Sequence, residues 1–178
     1  IFAAFQRRET YATTGPRLKV RLFAGWDFTA ADLEAADFAQ RGYARGVPMG
    51  GNLSAADAEQ QPTFLVRAEM DPMGANLDRI QVVKGWLDAQ GQQQERVYNV
   101  AWSGARTLDG MGQLPPVGNT VDLGTGAYSN SIGMPALAVA WTDPDLLDAI
   151  ALQGELPEEG PATLQERAYS SPVWYSPE

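Results

Sequence analysis

The chain has neither histidine nor cysteine in its 178 residues. Imidazoles are the usual ligands of transition-metal hydrolase centres, and histidine is the commonest general base near neutral pH. Any such site built from this chain alone would therefore rest on carboxylates. Disulfides are excluded, which leaves the redox compartment open. Cations are scarce: 13 Lys and Arg stand against 22 Asp and Glu, a net charge of −9. They never cluster beyond a pair, so a nucleic-acid footprint is excluded and attraction to anionic membranes is disfavoured. No run approaches the roughly 18 apolar residues of a membrane-spanning helix. Also missing are a Gly-x-Ser-x-Gly elbow, a phosphate-binding P-loop and a dinucleotide fingerprint.

What is present is an ordinary globular composition, 44% hydrophobic and 20% charged, sufficient for one good core. Ile1, Phe2 and Phe5 are followed by Gln6-Arg7-Arg8, the pattern of the C-terminal half of a helix whose basic end complements the macrodipole. No capping residue, initiator Met or signal peptide precedes it, and the chain reads as the back end of a larger protein. The run Arg7-Arg8-Glu9-Thr10-Tyr11-Ala12-Thr13-Thr14-Gly15-Pro16-Arg17 then joins this helix to a strand through a loop dense in hydroxyls.

Arg17 to Phe23 alternates, with Leu18, Val20 and Leu22 on one face and three cations on the other. Thr29-Ala30-Ala31-Asp32 has the form of a capping box opening an Ala-rich helix to about Gln40; Gly42, Gly46, Gly50 and Gly51 are expected to end it. Phe64–Met70 reads as a strand, and 77–86 and 95–102 as antiparallel neighbours across the turn from Asp88 to Gln94. Two further strands are expected at Asn119–Leu123 and Ala136–Trp141. Short strands between Gly, Pro, Asn and Asp clusters predict a mainly β, antiparallel, sandwich-like domain.

The Arg7–Arg17 junction resembles the last helix-to-strand junction of the bacterial family known as domain of unknown function 3604. That family is related to the polymerase-and-histidinol-phosphatase (PHP) metallohydrolases. Similar blocks follow in order: Leu77–Trp86, Val100–Gly104, Leu114–Val121, Trp141–Pro144 and Gln165–Tyr175. The resemblance implies that residues 1–23 close a PHP-like α/β barrel and that 24–178 form the sandwich-like C-terminal region. One departure is clear. Asp145–Ala149 runs almost directly toward Gly160-Pro161 where the family carries a further strand, so either a natural deletion removed that strand or, the preferred reading, residues are missing near 145–160.

By this resemblance the parent is a metal-dependent hydrolase of small-molecule phosphoesters or related esters, in a periplasmic or exported setting. Its divalent metal ions would lie in the N-terminal barrel, which is the expected partner of this fragment. No cofactor or metal ligand is expected in these 178 residues, because a PHP-type centre needs several imidazoles. Tyr11, Thr13 and Thr14 are the candidates for lining the cleft, with Arg8 and Arg17 as substrate-binding candidates. The ordinary alternatives stay open: Thr and Tyr suit a strand entrance, Gly15-Pro16 turns the chain, and Arg8 with Glu9 makes a surface ion pair. Asp71, Asn76 and Asp78 have a loose calcium look, but Asp-Pro-x-Gly is common turn chemistry. The five Trp residues allow a sugar-stacking platform, although strand packing is the default for Trp86, Trp102 and Trp141. Two other functions therefore compete with the hydrolase: a non-catalytic binding module, for instance for carbohydrate, and a purely structural accessory domain.

Overall fold

A computed structural model describes residues 1–54, 60–88, 90–144 and 167–175. In chain order these form α1 (Phe2–Gln6), β1 (Tyr11–Thr13), β2 (Lys19–Gly25), α2 (Ala30–Glu34) and α3 (Phe38–Arg45). There follow β3 (Val47–Pro48), β4 (Asn52–Leu53), β5 (Thr63–Glu69), β6 (Arg79–Leu87) and β7 (Gln93–Trp102). β8 (Ala136–Thr142), β9 (Ala168–Ser170) and β10 (Trp174–Tyr175) complete the order. The protein is mainly β with a few short helices. All strand pairs are antiparallel except β10 with β4.

The central sheet has the order β3-β2-β5-β8. Phe23, Leu65 and Ala140 are register neighbours across it, so they share one face. Phe28, Leu33 and Phe38 cover that face to make the core. Phe23 is 1% exposed and meets Phe38 and Tyr43 edge to face, at centroid separations of 5.5 and 5.0 Å. The same face of β2 carries Arg21 and Lys19, so the alternation expected from Leu18 to Leu22 marks only half of the strand. From Phe23 onward both faces are buried.

The opposite face presents Phe64 beside Trp141, and Tyr98 of β7 packs on Trp141 at 5.1 Å. The β6–β7 hairpin thus lies across the sheet from the helices. An ion pair fixes it: Lys84 Nζ sits 2.9 Å from an Asp143 carboxylate oxygen, with both side chains nearly buried.

Three local expectations are corrected. Gly42 does not end a helix; it sits within α3, where an added Cβ would lie 2.4 Å from the Phe23 ring. Glycine is there for close packing. The Ala-rich segment forms two short helices, the first ending at Ala35 in extended conformation. Asn119–Leu123 is not a strand: its one ladder contact is the bridge Val121↔Tyr128, and all but half-buried Asn119-flanking Thr120 are exposed. The expected gap near 145–160 lies outside the described residues.

The capping box does form. Asp32 accepts from the Thr29 amide at 3.0 Å, and its other oxygen receives Arg41 at 3.2 Å and Arg45 at 2.6 Å. Burial pushes this carboxyl up, but the Thr29 and arginine hydrogen bonds outweigh burial and hold it below its ordinary value. A depressed folded-state pKa contributes stability above the unfolded value, and that contribution is lost as pH falls through the folded one. We expect Asp32→Asn to destabilise the protein by about 1–3 kcal/mol at pH 7. The difference should shrink steadily as denaturation is repeated below about pH 4.

Candidate functional site

The hydroxyl run is not a loop throughout. Tyr11, Ala12 and Thr13 form β1 and pair antiparallel with Ser170, Tyr169 and Ala168 of β9. The pairing continues at both ends: the Thr14 amide donates to the Arg167 carbonyl at 3.0 Å, and the Ser171 amide donates to the Thr10 carbonyl at 2.9 Å. The opening junction and the chain's tail are therefore one structural unit.

Beside this ladder lies an open groove of about 630 Å3. Phe5 of α1, Tyr11 and Tyr169 contribute rings, while Thr10, Ser170 and Ser171 contribute hydroxyls. Thr10 Oγ1 and Ser171 Oγ are 3.3 Å apart. Glu9 also reaches the groove. Its carboxylate accepts from the Tyr43 hydroxyl on one oxygen and from Arg7 at 3.0 Å on the other. That hydrogen bond, followed by partial burial, pushes the Tyr43 phenol above its ordinary value and keeps it a donor.

The turn before β1 is tightly constrained. Arg8 has φ 58°, in the left-handed region that a side chain of its size rarely adopts. Its carbonyl lies against Gly50, where an added Cβ would be 2.2 Å from the oxygen. Gly50 has φ +81° and donates its amide to the Pro172 carbonyl at 2.9 Å. The Arg8 guanidinium donates to Asn52 Oδ1 at 3.1 Å. Backbone strain of this kind persists only where surrounding contacts over-determine it, and it concentrates at functional sites.

The five sequence candidates do not form one cluster. Tyr11 lines the groove. Thr13 is half-buried opposite Ala168. Thr14 Oγ1 accepts the Arg167 amide at 2.9 Å, a role in holding the ladder. Arg8 braces the turn against Asn52, and Glu9 pairs with Arg7 where the sequence reading paired it with Arg8. Arg17 lies at the far end, its amide donating to Asp71 at 2.6 Å. The Arg17 amide and then the Met73 amide hold the Asp71 carboxyl below the usual carboxylate range.

Glu9 was noted in the sequence only beside Arg8, and neither Tyr43 nor the Tyr169–Ser171 tail was singled out as part of a site. Only the tail carried a signal, its similarity to the family, and its proximity to Tyr11 is a product of folding. Asp71, Asn76 and Asp78 are each engaged by protein groups: Asn76 donates to Asn130 and Ile132 carbonyls, and Asp78 pairs with Arg106 at 2.7 Å. Among the described residues no group of three or more His, Cys, Asp or Glu could hold a metal ion. All five Trp residues are half-buried, and Trp141 and Trp26 pack against aromatic neighbours.

Gly50→Ala must both adopt a left-handed backbone and displace the Arg8 carbonyl. We expect a loss of about 2–4 kcal/mol by chemical denaturation. Gly110→Ala, at a glycine with nothing within 4 Å, should change stability by less than about 0.5 kcal/mol.

The family described as protein of unknown function (DUF3604) matches residues 1–147 and 145–177. The two matched pieces overlap at residues 145–147. No curated protein and no solved structure matches the chain. With nearly its whole length matched, from the Arg7–Arg17 junction to the tail that pairs with it, the chain belongs to the DUF3604 family.

Proposed function

We propose that this chain is the β-rich accessory region of a metal-dependent hydrolase acting on phosphoesters or related esters. In this reading residues 1–23 are the closing helix and strand of a PHP-like barrel, 24–178 are a sandwich-like C-terminal region, and the rest of the barrel is its partner. The residues described here do not fit a PHP-type metal centre, since imidazoles are absent and no carboxylate cluster converges. No catalytic step is therefore assigned to a metal on this chain.

The observation that carries the proposal is the outer face of α1. Ile1, Phe2 and Phe5 are 100, 74 and 64% exposed, directly beside the groove that holds Tyr11. An apolar patch of this kind marks a surface that another body covers. A barrel seated there would bring Tyr11 to its cleft, with Arg8 and Thr14 bracing the strand and Arg17 setting the start of β2. An exported or periplasmic setting rests on the family resemblance alone.

The test uses the full-length protein with manganese or zinc and p-nitrophenyl phosphate. Tyr11→Phe should lower turnover about ten-fold, roughly 1.4 kcal/mol in the barrier, with an unchanged circular dichroism spectrum. Residues 1–178 alone should retain no stoichiometric metal. Unaltered kinetics in Tyr11→Phe would remove Tyr11 from the cleft. Stoichiometric metal on the isolated chain, or no ester hydrolysis by the full-length protein, would overturn the reading itself.

A further inference from the structure

We infer that Arg21 and Arg67, directly opposite each other on β2 and β5, form a binding site for a phosphate group. The alternation from Arg17 to Phe23 sets three cations on one face of β2. Two of them have an acid close by: Lys19 meets Glu69 at 3.1 Å, and Arg17 lies beside Asp71, its amide donating to that carboxylate. Arg21 differs. It is exposed, and among the described residues its guanidinium has neither a hydrogen-bond acceptor nor a carboxylate partner.

Its register partner is another cation, Arg67. Side chains directly opposite start about 5 Å apart, and like charges there destabilise a sheet. Arg67 is half-buried, donates to the Leu33 carbonyl and lies over the Phe38 ring at 4.1 Å. These contacts fix the guanidinium on the helix-covered face and leave its charge unneutralised. No buried side-chain nitrogen among the described residues lacks a partner, so the other donors of Arg67 open to solvent. Tyr43 packs on Phe23, the next residue along this face of β2. The Glu9 hydrogen bond and burial push the Tyr43 phenol up, and Arg21 lies near enough for its charge to oppose them.

Acids outnumber cations 22 to 13 in this chain, yet neither arginine of the pair has one. On the neighbouring rung Glu69 is held by Lys19. The charge balance names the ligand. A phosphate group carries close to two negative charges and several acceptor oxygens, enough for two guanidinium forks. A carboxylate neutralises only one. The inference does not rest on the hydrolase reading, since neither arginine belongs to the proposed cleft.

The experiment is calorimetric titration of the full-length protein and its Arg21→Gln variant with inorganic phosphate, and separately with methylphosphonate. Phosphate held by metal in a barrel is common to both proteins and cancels in the comparison. The inference expects one saturable site to weaken about ten-fold or more in Arg21→Gln, and a few-fold in Arg21→Lys, which keeps the charge without the fork. Methylphosphonate binding there at least as tightly as inorganic phosphate assigns the site to a phosphate carried on a larger molecule; preference for inorganic phosphate assigns it to the free ion. Acetate at matched ionic strength should not compete. Without phosphate, Arg21→Gln should be no less stable than the parent, because the substitution removes a like-charge pair. Equal phosphate binding by parent and Arg21→Gln, or equal displacement by acetate, would overturn the inference. So would a loss of stability in phosphate-free Arg21→Gln, which would give Arg21 a structural partner.

Discussion

The Arg8 carbonyl occupies the space that a Cβ on residue 50 would need, and the geometry of the candidate site depends on that contact. It forces glycine at position 50 and holds Arg8 left-handed. It also presses the turn after α1 onto the segment between β3 and β4. The same Gly50 donates its amide to Pro172, so one residue receives the start of the chain on one side and its tail on the other. With both ends anchored there, residues 10–14 and 167–171 can zip into the short ladder that walls the groove. Remove the close approach, and three residues of β1 have little of their own to keep them in place.

The central sheet supplies the platform for this seam. Phe23 fills the space left by the missing side chain of Gly42, which lets α3 lie close on β2. Asp32 then ties α2 to α3 by gathering Arg41 and Arg45 around one buried carboxylate. A fully desolvated carboxylate would be costly alone; the cap and two guanidiniums offset that cost. Tyr43 projects from the same helix to Glu9, linking the core to the turn that precedes Tyr11. The path from core to groove is thus a short series of named contacts: Phe23 to Tyr43, Tyr43 to Glu9, and Glu9 to the groove.

Legibility in the sequence followed the range of the interaction. β5, the β6–β7 pair and β8 were readable because their apolar alternation and flanking turns are local. The capping box at Thr29 and Asp32 was readable for the same reason. β1 was read as loop because its three residues take their strand character from partners at 168–170, beyond the reach of any periodicity. Gly42 was read as a breaker because a sequence window carries no record of the Phe23 ring that excludes a side chain there. In the candidate site, Tyr11 could be picked out by type and position. Ser170 and Ser171 could not, since they acquire a place in the groove only when the chain's two ends meet. The pairing of Glu9 with Arg7, in place of Arg8, reflects the left-handed turn at Arg8, which swings that guanidinium to Asn52.

That meeting of chain ends is the central claim, and the absence of cysteine makes it directly measurable. The Ser171 amide donates to the Thr10 carbonyl and the Thr14 amide to the Arg167 carbonyl, so antiparallel alternation makes 13/168 a non-hydrogen-bonded pair, with Cα atoms about 4.5 Å apart. That spacing suits a disulfide. The measurement is oxidative cross-linking of the Thr13→Cys/Ala168→Cys double variant, read by mass spectrometry against Ala12→Cys/Ala168→Cys, whose side chains point to opposite faces. The account predicts rapid, near-complete intramolecular disulfide in the first and little in the second. Equal cross-linking in both variants, or none in the first, would contradict it.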